Sequence, residues 1–490
     1  MINLKKNKVT INYLYNVTYQ ILNFIMPIIT APYLSRTLGA DNLGIYGYTY
    51  SIAYWFILFG NMGIGLYGSK EIAKVSDNKE KLSKKFSEIF MLQFSCSMIS
   101  MIIFYFVFGL FKFEYQMVFL IQGILIISSA LDINWVYVGL EDFKKTTLRG
   151  IVSKVLLIIG LFVLIKSDSD LYTYTFLLAF INIFNSVFIW KGLFKILDFK
   201  IPKFKDLLPH LKENFILFIP QISASIYSVF DQTMIGMLYS DVSEVAFYNQ
   251  AHRIINMLLY LVTTIGTVML PNIIKQRDDK EKVNYVTNVT FKIALLLAIP
   301  IAIGFSALAP FLISWFLAPD FYKVASIIAY LSPIIIFISL SNVFGVQYLI
   351  VFDETKKFTI SVTIGCFINL ILNALLISKF GAYGAAIASC VTEFSVLLIQ
   401  FFFVKKRFNF KGVVTCFLKY LFAASIMGIA VYYIGILLGN RLLTNIVQVI
   451  IGVLIYFGIV FLFHDDTAKF LFNKGLEILK IKKRKNEQEL

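Results

Sequence analysis

Three ionisable side chains, Asp231, Arg253 and Glu393, stand in long apolar stretches of the sequence. A charge inside a bilayer costs roughly 2.5–3.5 kcal/mol, so each of them is a candidate for a functional site if these stretches cross a membrane. Glu393 lies about ten residues into its stretch, near the expected midplane at about 1.5 Å per residue. A buried carboxylate without a partner has a raised pKa, which suits reversible proton or cation binding, although helix packing through a neutral Glu explains the residue nearly as well.

Asp231 and Arg253 fall at similar depth on consecutive apolar stretches. A pair between them would lower the cost of both charges, either as part of a site or as a purely structural bridge. We count Asp231 with Glu393 as a candidate for ion coupling. Arg253 is too deep for comfortable snorkelling to the headgroups, so it is expected to face a wet cavity or an acid.

Two further polar groups could bind a ligand. Asn369 and Asn373 are four residues apart and share one helix face, where they could contact a sugar or hydrogen-bond a neighbouring helix. Asp132 and Trp135 lie near the inner end of another apolar stretch and form a polar and aromatic mouth suited to a glycan. An interfacial aromatic belt explains Trp135 equally well.

The sequence gives no sign of metal, redox or nucleotide chemistry. Its four cysteines lie in apolar stretches without a CxxC pair, and its three histidines show no HExxH spacing. No GxxxxGK[ST] phosphate loop occurs, so we expect no ATP hydrolysis by this chain. We predict no metal site and no cofactor beyond a coupling H⁺ or Na⁺.

These residues sit in a chain whose composition is that of a membrane protein. Of its 490 residues, 58% are hydrophobic and 15% are charged, against about half and a quarter in soluble domains. Spans of about 20 residues suffice to cross the hydrocarbon core. The apolar windows predict 14 helical spans, at 13–34, 44–67, 86–111, 115–138, 150–165, 171–190, 214–238, 245–270, 291–316, 322–352, 358–378, 383–404, 413–438 and 442–463.

The basic residues predict the orientation of these spans. With the N-terminus inside, 36 of the 45 Lys and Arg residues fall in cytoplasmic segments, as the positive-inside rule requires. The formal net charge of +16 therefore reports topology rather than nucleic acid binding. Both termini are expected to be cytoplasmic, with a retained first span and no removable signal peptide.

A weak internal repeat relates the two halves. Leu43 to Tyr46 after the first span correspond to Val245 to Tyr248 after the seventh, an even number of spans apart, as in transporters built from parallel repeats. The prediction is an all-α polytopic protein with lobes of six helices at 1–206 and 207–408. Spans 13 and 14 and a basic tail occupy 409–490.

Four segments resemble the Wzx-type polysaccharide repeat-unit flippases. They are DINWVYVGLEDFKKTTLR at 132–149, the stretch 231–272 with DQTMIGMLYS, EVAFYNQAHRI and TVMLPN, NLILNALLISKFGAYGAAIASCVTEF at 369–394, and SRTLGADNLGIYGY at 35–48. With the count of 14 spans, the resemblance covers nearly the whole chain. It implies the MATE-like fold of the multidrug and oligosaccharidyl-lipid exporter superfamily, in which two lobes surround a cavity that opens alternately to either face.

The resemblance also implies a substrate and a site. The substrate would be an undecaprenyl-diphosphate-linked oligosaccharide, moved to the outer leaflet of a bacterial plasma membrane for surface polysaccharide synthesis. Arg36 and Arg253 match cavity arginines that hold the diphosphate in relatives, and a planar guanidinium binds phosphate oxygens bidentately. The expected cavity group is completed by Gln250, Asp132, Trp135, Asn369 and Asn373. The pair His252-Arg253 departs from the family pattern, where an acid and a lysine are expected.

Two other functions remain open from the sequence. A drug or cation exporter of the MATE group would share the fold, and a membrane polysaccharide polymerase would act on the same lipid-linked sugars. The short outer loops argue against the polymerase, because the longest holds only Arg36 and Asp41 as charged residues. A polymerase is instead an expected partner, and spans 13 and 14 are expected to form an apolar groove for the prenyl tail.

Overall fold

The computed structural model describes residues 22–225, 229–275, 279–406, 408, 410 and 412–473, and these contain helices and no strand. Helices α1 and α20 cover 22–37 and 466–473 within this part. The others are α2 Gly39–Asn61, α3 Ile64–Val75, α4 Lys79–Leu110, α5 Gln116–Gln122, α6 Ile124–Leu131, α7 Asn134–Gly139, α8 Phe143–Leu164, α9 Leu171–Phe188, α10 Phe204–Ser225, α11 Asp231–Leu238, α12 Ser243–Lys275, α13 Lys280–Phe316, α14 Lys323–Leu331, α15 Pro333–Phe344, α16 Thr355–Phe380, α17 Ala382–Val404, α18 Val413–Leu438 and α19 Leu442–Leu462.

Several predicted spans consist of more than one helix. The second span breaks between α2 and α3 at Met62 and Gly63, whose φ angles of 44° and 89° are left-handed and cannot continue an α-helix. The tenth consists of α14, α15 and a π-helix at Gly345–Ile350. Pro333 begins α15, where its missing N–H costs least.

Two long helices, α4 and α13, begin at a side-chain cap. The carboxamide of Asn78 accepts a hydrogen bond from the N–H of Lys81 at the start of α4. At the start of α13 the carboxylate of Asp279 accepts from the N–H of Lys282 in the same way. Each cap satisfies an N–H group that has no partner within the helix. The helices of the predicted third and ninth spans thus begin alike.

Contacts between Cα atoms divide the chain into two units, Met1–Ala246 and Phe247–Leu490. In the first unit, α2 packs on α4 and α6, α3 packs on α4 and α7, and α9 packs on α6 and α8. Its larger core joins α3, α4 and α7 to the segment 189–197 around Phe86, Trp135 and Tyr137. In the second unit, α13 packs on α15 and α18, α16 packs on α17, and α18 packs on α19.

The sequence predicts the lobe boundary at 206/207, whereas the contacts group 207–246 with the first unit. The reason is that α10 packs on α3 and α4, and α11 packs on α2. Close approach is possible because α11 carries Gly236, where a Cβ atom would lie 2.1 Å from Cδ2 of Tyr48. Predicted span seven therefore groups with the first unit in this structure.

Within the described part, ten helical segments are long and apolar enough to cross a membrane. They correspond to predicted spans three to six and nine to fourteen, and α18 begins and ends at the predicted residues. The all-α membrane fold is confirmed, and the count of 14 stays a prediction. Three predicted features lie outside the described residues: the first part of span one at 13–21, the basic residues Lys5, Lys6 and Lys8 before it, and the tail beyond 473.

Candidate functional site

Two of the predicted site residues of the first unit, Arg36 and Asp231, differ in their exposure. Arg36 is exposed at the end of α1, where its guanidinium donates to the backbone oxygen of Pro32 at 2.9 Å. Asp231 begins α11 and is 1% exposed. The structure thus leaves the Arg36 side chain accessible on the first unit and buries the Asp231 carboxyl.

Asp132 belongs to a polar cluster in which Arg149 is the central cation. The carboxylate of Asp132 lies 3.0 Å from Nη1 of Arg149, and Nη2 of the same guanidinium lies 3.3 Å from Oδ1 of Asn134. Arg149 is 9% exposed on α8, and Ser153 of α8 donates to Asn185 of α9. The cluster therefore connects the neighbouring ends of predicted spans four, five and six.

Arg149 is the residue that sequence reasoning missed. It ends a basic segment that the sequence assigns to the cytoplasmic charges, yet it is buried on α8 with Gly150 and Ser153. The available signal was spacing, because Ser153 follows one helical turn later on the same face. Oxygens of the Asp132 carboxylate and of a neighbouring amide hold this guanidinium, so in this conformation it serves as a structural cation.

Trp135 is buried, with 3% of its surface exposed. Its indole N–H donates to Oε1 of Gln93 at 2.9 Å, and its ring stacks on Phe86 at 5.9 Å. A Cβ atom at Gly68 would lie 2.6 Å from the indole ring. The structure therefore places Trp135 inside the packing of the first unit, with no ring face open to a glycan in this conformation.

In the second unit, α12 carries two of the predicted residues, Gln250 and Arg253. Gln250 is 9% exposed, whereas the side chain of Arg253 is exposed. His252 stacks on the ring of Tyr248 at 5.6 Å, and the Tyr248 hydroxyl lies 3.2 Å from Oγ of Ser389 on α17. The stack thus lies within α12, the Tyr248 hydroxyl links this helix to α17, and Arg253 is an accessible cation of α12.

Helices α16 and α17 bury the predicted carboxamides. Asn369 and Asn373 are 1% and 0% exposed, and Nδ2 of Asn373 donates to Oδ1 of Asn369 at 3.1 Å. Thr392 is buried on α17, and its neighbour Glu393 is half-buried. The two carboxamides thus share one hydrogen bond within α16. The predicted contacts with a sugar or with a neighbouring helix stay predictions.

An apolar groove of about 300 Å³ runs between α12, α13, α18 and α19. Of its lining residues only Gln448 and Tyr456 are polar, and none is charged; the lining consists of Leu258, Leu297, Pro300, Ile301, Gly304, Phe305, Leu308, Met427, Val431, Gln448, Val449, Gly452, Val453, Tyr456 and Phe457. Gly452 allows close packing here, since a Cβ atom would lie 3.0 Å from Cγ2 of Val431. The groove is therefore suited to hydrocarbon.

Hydrogen bonds from polar residues of α19 hold the walls of the groove together. Gln448 donates to the backbone oxygen of Val431 on α18 at 2.7 Å and accepts from Nδ2 of Asn445 at 2.7 Å. The hydroxyl of Tyr456 donates to the backbone oxygen of Leu296 on α13 at 2.8 Å. These polar atoms are hydrogen-bonded within the groove walls, so the surface that faces the groove is apolar.

The described residues contain no group of three His, Cys, Asp or Glu side chains that could hold a metal ion. All four cysteines are free thiols.

Helix caps and turns shift the pKa of two carboxyl groups outside the spans. Hydrogen bonds from Lys282 hold the pKa of Asp279 below its usual range, and backbone N–H groups of Lys166 and Ser167 do the same for Asp170.

Comparison with known proteins agrees with this architecture. A chain named "Putative O-antigen transporter" in Escherichia coli (strain K12) is 26% identical over 412 residues, which is 81% of this chain and 96% of that protein. "Lipid II flippase MurJ" of Bacillus subtilis (strain 168) is 29% identical over 186 residues, 36% of this chain and 34% of that protein.

Solved structures share the fold. The inward closed conformation of the lipid II flippase MurJ matches with a TM-score of 0.75 at 20% identity, over 93% of this chain and 99% of that one. An inward-facing multidrug resistance MATE transporter of the MOP superfamily matches with a TM-score of 0.54 at 16% identity, over 79% and 97%. The family model described as "Polysaccharide biosynthesis protein" matches residues 9–276, more than half of the chain. This chain is a member of the polysaccharide biosynthesis protein family.

Proposed function

We propose that this protein is a flippase that moves undecaprenyl-diphosphate-linked oligosaccharide from the cytoplasmic to the outer leaflet of a bacterial plasma membrane, by alternating access. The observation that carries the proposal is the uncharged groove on α13, α18 and α19, in a chain that belongs to a polysaccharide biosynthesis family. A prenyl tail is compatible with such a surface, because hydrocarbon that covers it desolvates no charged group and no unpaired polar group.

The headgroup needs the opposite chemistry. A diphosphate and its sugars cannot cross hydrocarbon unless cations and hydrogen-bonding groups replace their water. Arg36 at the end of α1 and Arg253, about three turns into α12, are exposed residues whose guanidinium groups can supply such cations. In the proposal they bind the diphosphate, Gln250 and the asparagines bind sugar, and H⁺ or Na⁺ coupling falls to Glu393 and Asp231.

Reconstitution tests the proposal directly. Proteoliposomes that contain the protein and an undecaprenyl-diphosphate-linked oligosaccharide should expose inner-leaflet sugar to an external glycosidase, and protein-free vesicles should not. Arg253→Ala should reduce the rate at least tenfold, whereas Arg441→Ala, a matched exposed arginine between α18 and α19, should not. Full transport by a normally inserted Arg253→Ala protein would contradict the assigned diphosphate site.

Deletion in cells separates the competing functions. Loss of a flippase leaves lipid-linked repeat units on the cytoplasmic side, and loss of a polymerase leaves unpolymerised units exposed outside. Drug resistance on expression, with normal surface polysaccharide after deletion, would instead identify a MATE-type exporter. The MATE neighbour supports only a shared fold, since its identity is 16%.

A further inference from the structure

The cytoplasmic segment between predicted spans six and seven is fixed to the first unit by a buried polar cluster. Tyr67 of α3, Glu88 of α4 and His210 of α10 are 2%, 4% and 3% exposed. The Tyr67 hydroxyl lies 2.6 Å from Nδ1 of His210, and Nε2 of His210 lies 2.8 Å from a carboxylate oxygen of Glu88. We call these three residues the linker anchor.

The linker anchor is complete when the imidazole is neutral. Tyr67 then donates to Nδ1, and the proton on Nε2 is donated to the Glu88 carboxylate, so every polar atom of the ring has a partner. Lys85 lies 3.6 Å from the same carboxylate and balances its charge. Removal of the imidazole would leave the buried Tyr67 hydroxyl without this acceptor and the Glu88 carboxylate without its shortest contact, and an unsatisfied buried group costs more than the hydrogen bond itself contributes.

Neighbouring contacts extend the attachment along α4. The backbone N–H groups of Asp198 and Lys200 donate to the hydroxyls of Ser83 and Ser87 at 2.9 and 3.1 Å. These serines lie one turn apart on α4, immediately before Glu88. One face of α4 therefore holds the segment from residue 198 to His210 through side chains that act as acceptors.

The buried face of α10 continues the same contact. Leu207, His210, Asn214 and Phe218 recur at intervals of three or four residues, and all are buried. Gly63 permits this approach, because a Cβ atom there would lie 3.2 Å from the backbone nitrogen of Phe218. From residue 198 to 218 the chain is thus packed on the first unit along its length.

We propose that His210 is a positioning residue for transport: with Tyr67 and Glu88 it keeps α10 attached to the first unit throughout the cycle, so that the joint between the halves begins after α10. This inference rests on the proposed function for its transport readout. It differs from the sequence expectation, which treats 191–213 as a loop joining two lobes.

The first test compares variants of the full-length protein. His210→Ala should raise amide hydrogen exchange in 204–214 at least tenfold and lower the saturating transport rate at least fivefold, with KM within twofold. His210→Gln, which can still accept from Tyr67 and donate to Glu88, should restore transport to within twofold of the natural protein. Failure of Gln to rescue, or unchanged exchange in the Ala variant, would overturn the proposal.

A matched control separates positioning from general destabilisation. Ser186→Ala removes a buried hydrogen bond of 3.0 Å to Ser128 in the same unit, away from α10. It should lower the melting temperature without changing the saturating rate. If His210→Ala and Ser186→Ala variants of equal melting temperature lose transport equally, the anchor has no special role.

The second test replaces the anchor by a covalent tether. In a variant lacking the four natural cysteines, His210→Cys with Glu88→Cys should lose transport, and a short bifunctional thiol reagent should restore it. Abolition of the remaining transport by the tether would show that α10 must detach, which overturns the proposal. Amide hydrogen exchange in 204–214 is measured without substrate, so it reports the attachment of α10 even if the natural protein does not transport. The absence of any transport by the natural protein would refute the proposed function alone.

Discussion

A polar side chain in the apolar groove should weaken the binding of a lipid tail without disturbing the fold. Val453 lines the groove on α19 and is 49% exposed, so Val453→Asn introduces an amide where the side chain is not needed for packing. The next residue, Leu454, is 67% exposed and does not line the groove. Leu454→Asn therefore carries the same chemistry into lipid and is the matched control.

The magnitude follows from desolvation. Covering an amide with hydrocarbon, without a hydrogen-bond partner, costs about 1–3 kcal/mol in proteins. At 1.4 kcal/mol for each factor of ten, KM for a long-tailed substrate should rise about five- to 150-fold in the Val453→Asn protein. Leu454→Asn should leave KM within about twofold, because the cost of its amide in lipid is the same with and without substrate.

The assay is the initial rate of sugar exposure in proteoliposomes, measured against substrate concentration for a 55-carbon and a 10-carbon prenyl chain. The Val453→Asn effect should shrink with the short chain, which removes most of the hydrocarbon available to the groove. An equal rise in KM for both variants, or for both chain lengths, would refute the assignment of the tail to this groove.

Three further outcomes test the structural reasoning. Arg149→Gln should lower the free energy of unfolding by about 1–3 kcal/mol, less than for a fully buried pair because the Asp132 side chain is 38% exposed, and thermal unfolding of the single and double variants with Asp132→Asn checks it. Asn78→Ala should cost about 1 kcal/mol through the lost cap of α4, measured in the same way. Lys282 lowers the pKa of Asp279 in the folded protein, so the Asp279 carboxylate stabilises the fold above the ordinary carboxyl pKa. This contribution to the free energy of unfolding should be lost as the pH falls through the lowered pKa. An Asp279→Asn protein whose stability falls equally with acid would contradict this.

Apolar length predicted most of the fold, because long hydrophobic runs have few alternatives to a membrane helix. The run at 413–438 is α18 without a shift, and ten described segments agree with predicted spans. What the pattern could not predict is where a run breaks. Met62 and Gly63 interrupt span two through backbone angles that carry no hydrophobic signal.

The site was predicted less completely, because a count of charged residues does not show which side chains they contact in the fold. Arg149 and Lys85 read alike in the sequence, yet one is 9% exposed beside Asp132 and the other borders a buried His–Glu pair. Arg253 is exposed in the structure, and its role in diphosphate binding stays a prediction. The roles assigned to Asn369, Asn373, Glu393 and Asp231 stay predictions.

The π-helix at Gly345–Ile350 makes the end of span ten tolerant of a change in chain length. A π-turn holds one residue more than an α-turn, so deletion of a single residue there would let the helix close as a regular α-helix. Each kind of turn completes one rotation, so the segments on either side of the deletion would keep their orientation. Gln347 and Tyr348, which are 1% and 3% exposed, lie in that turn. A one-residue difference in length among relatives at this position would therefore change the side chains of this turn and leave the inward face of the rest of the span unchanged.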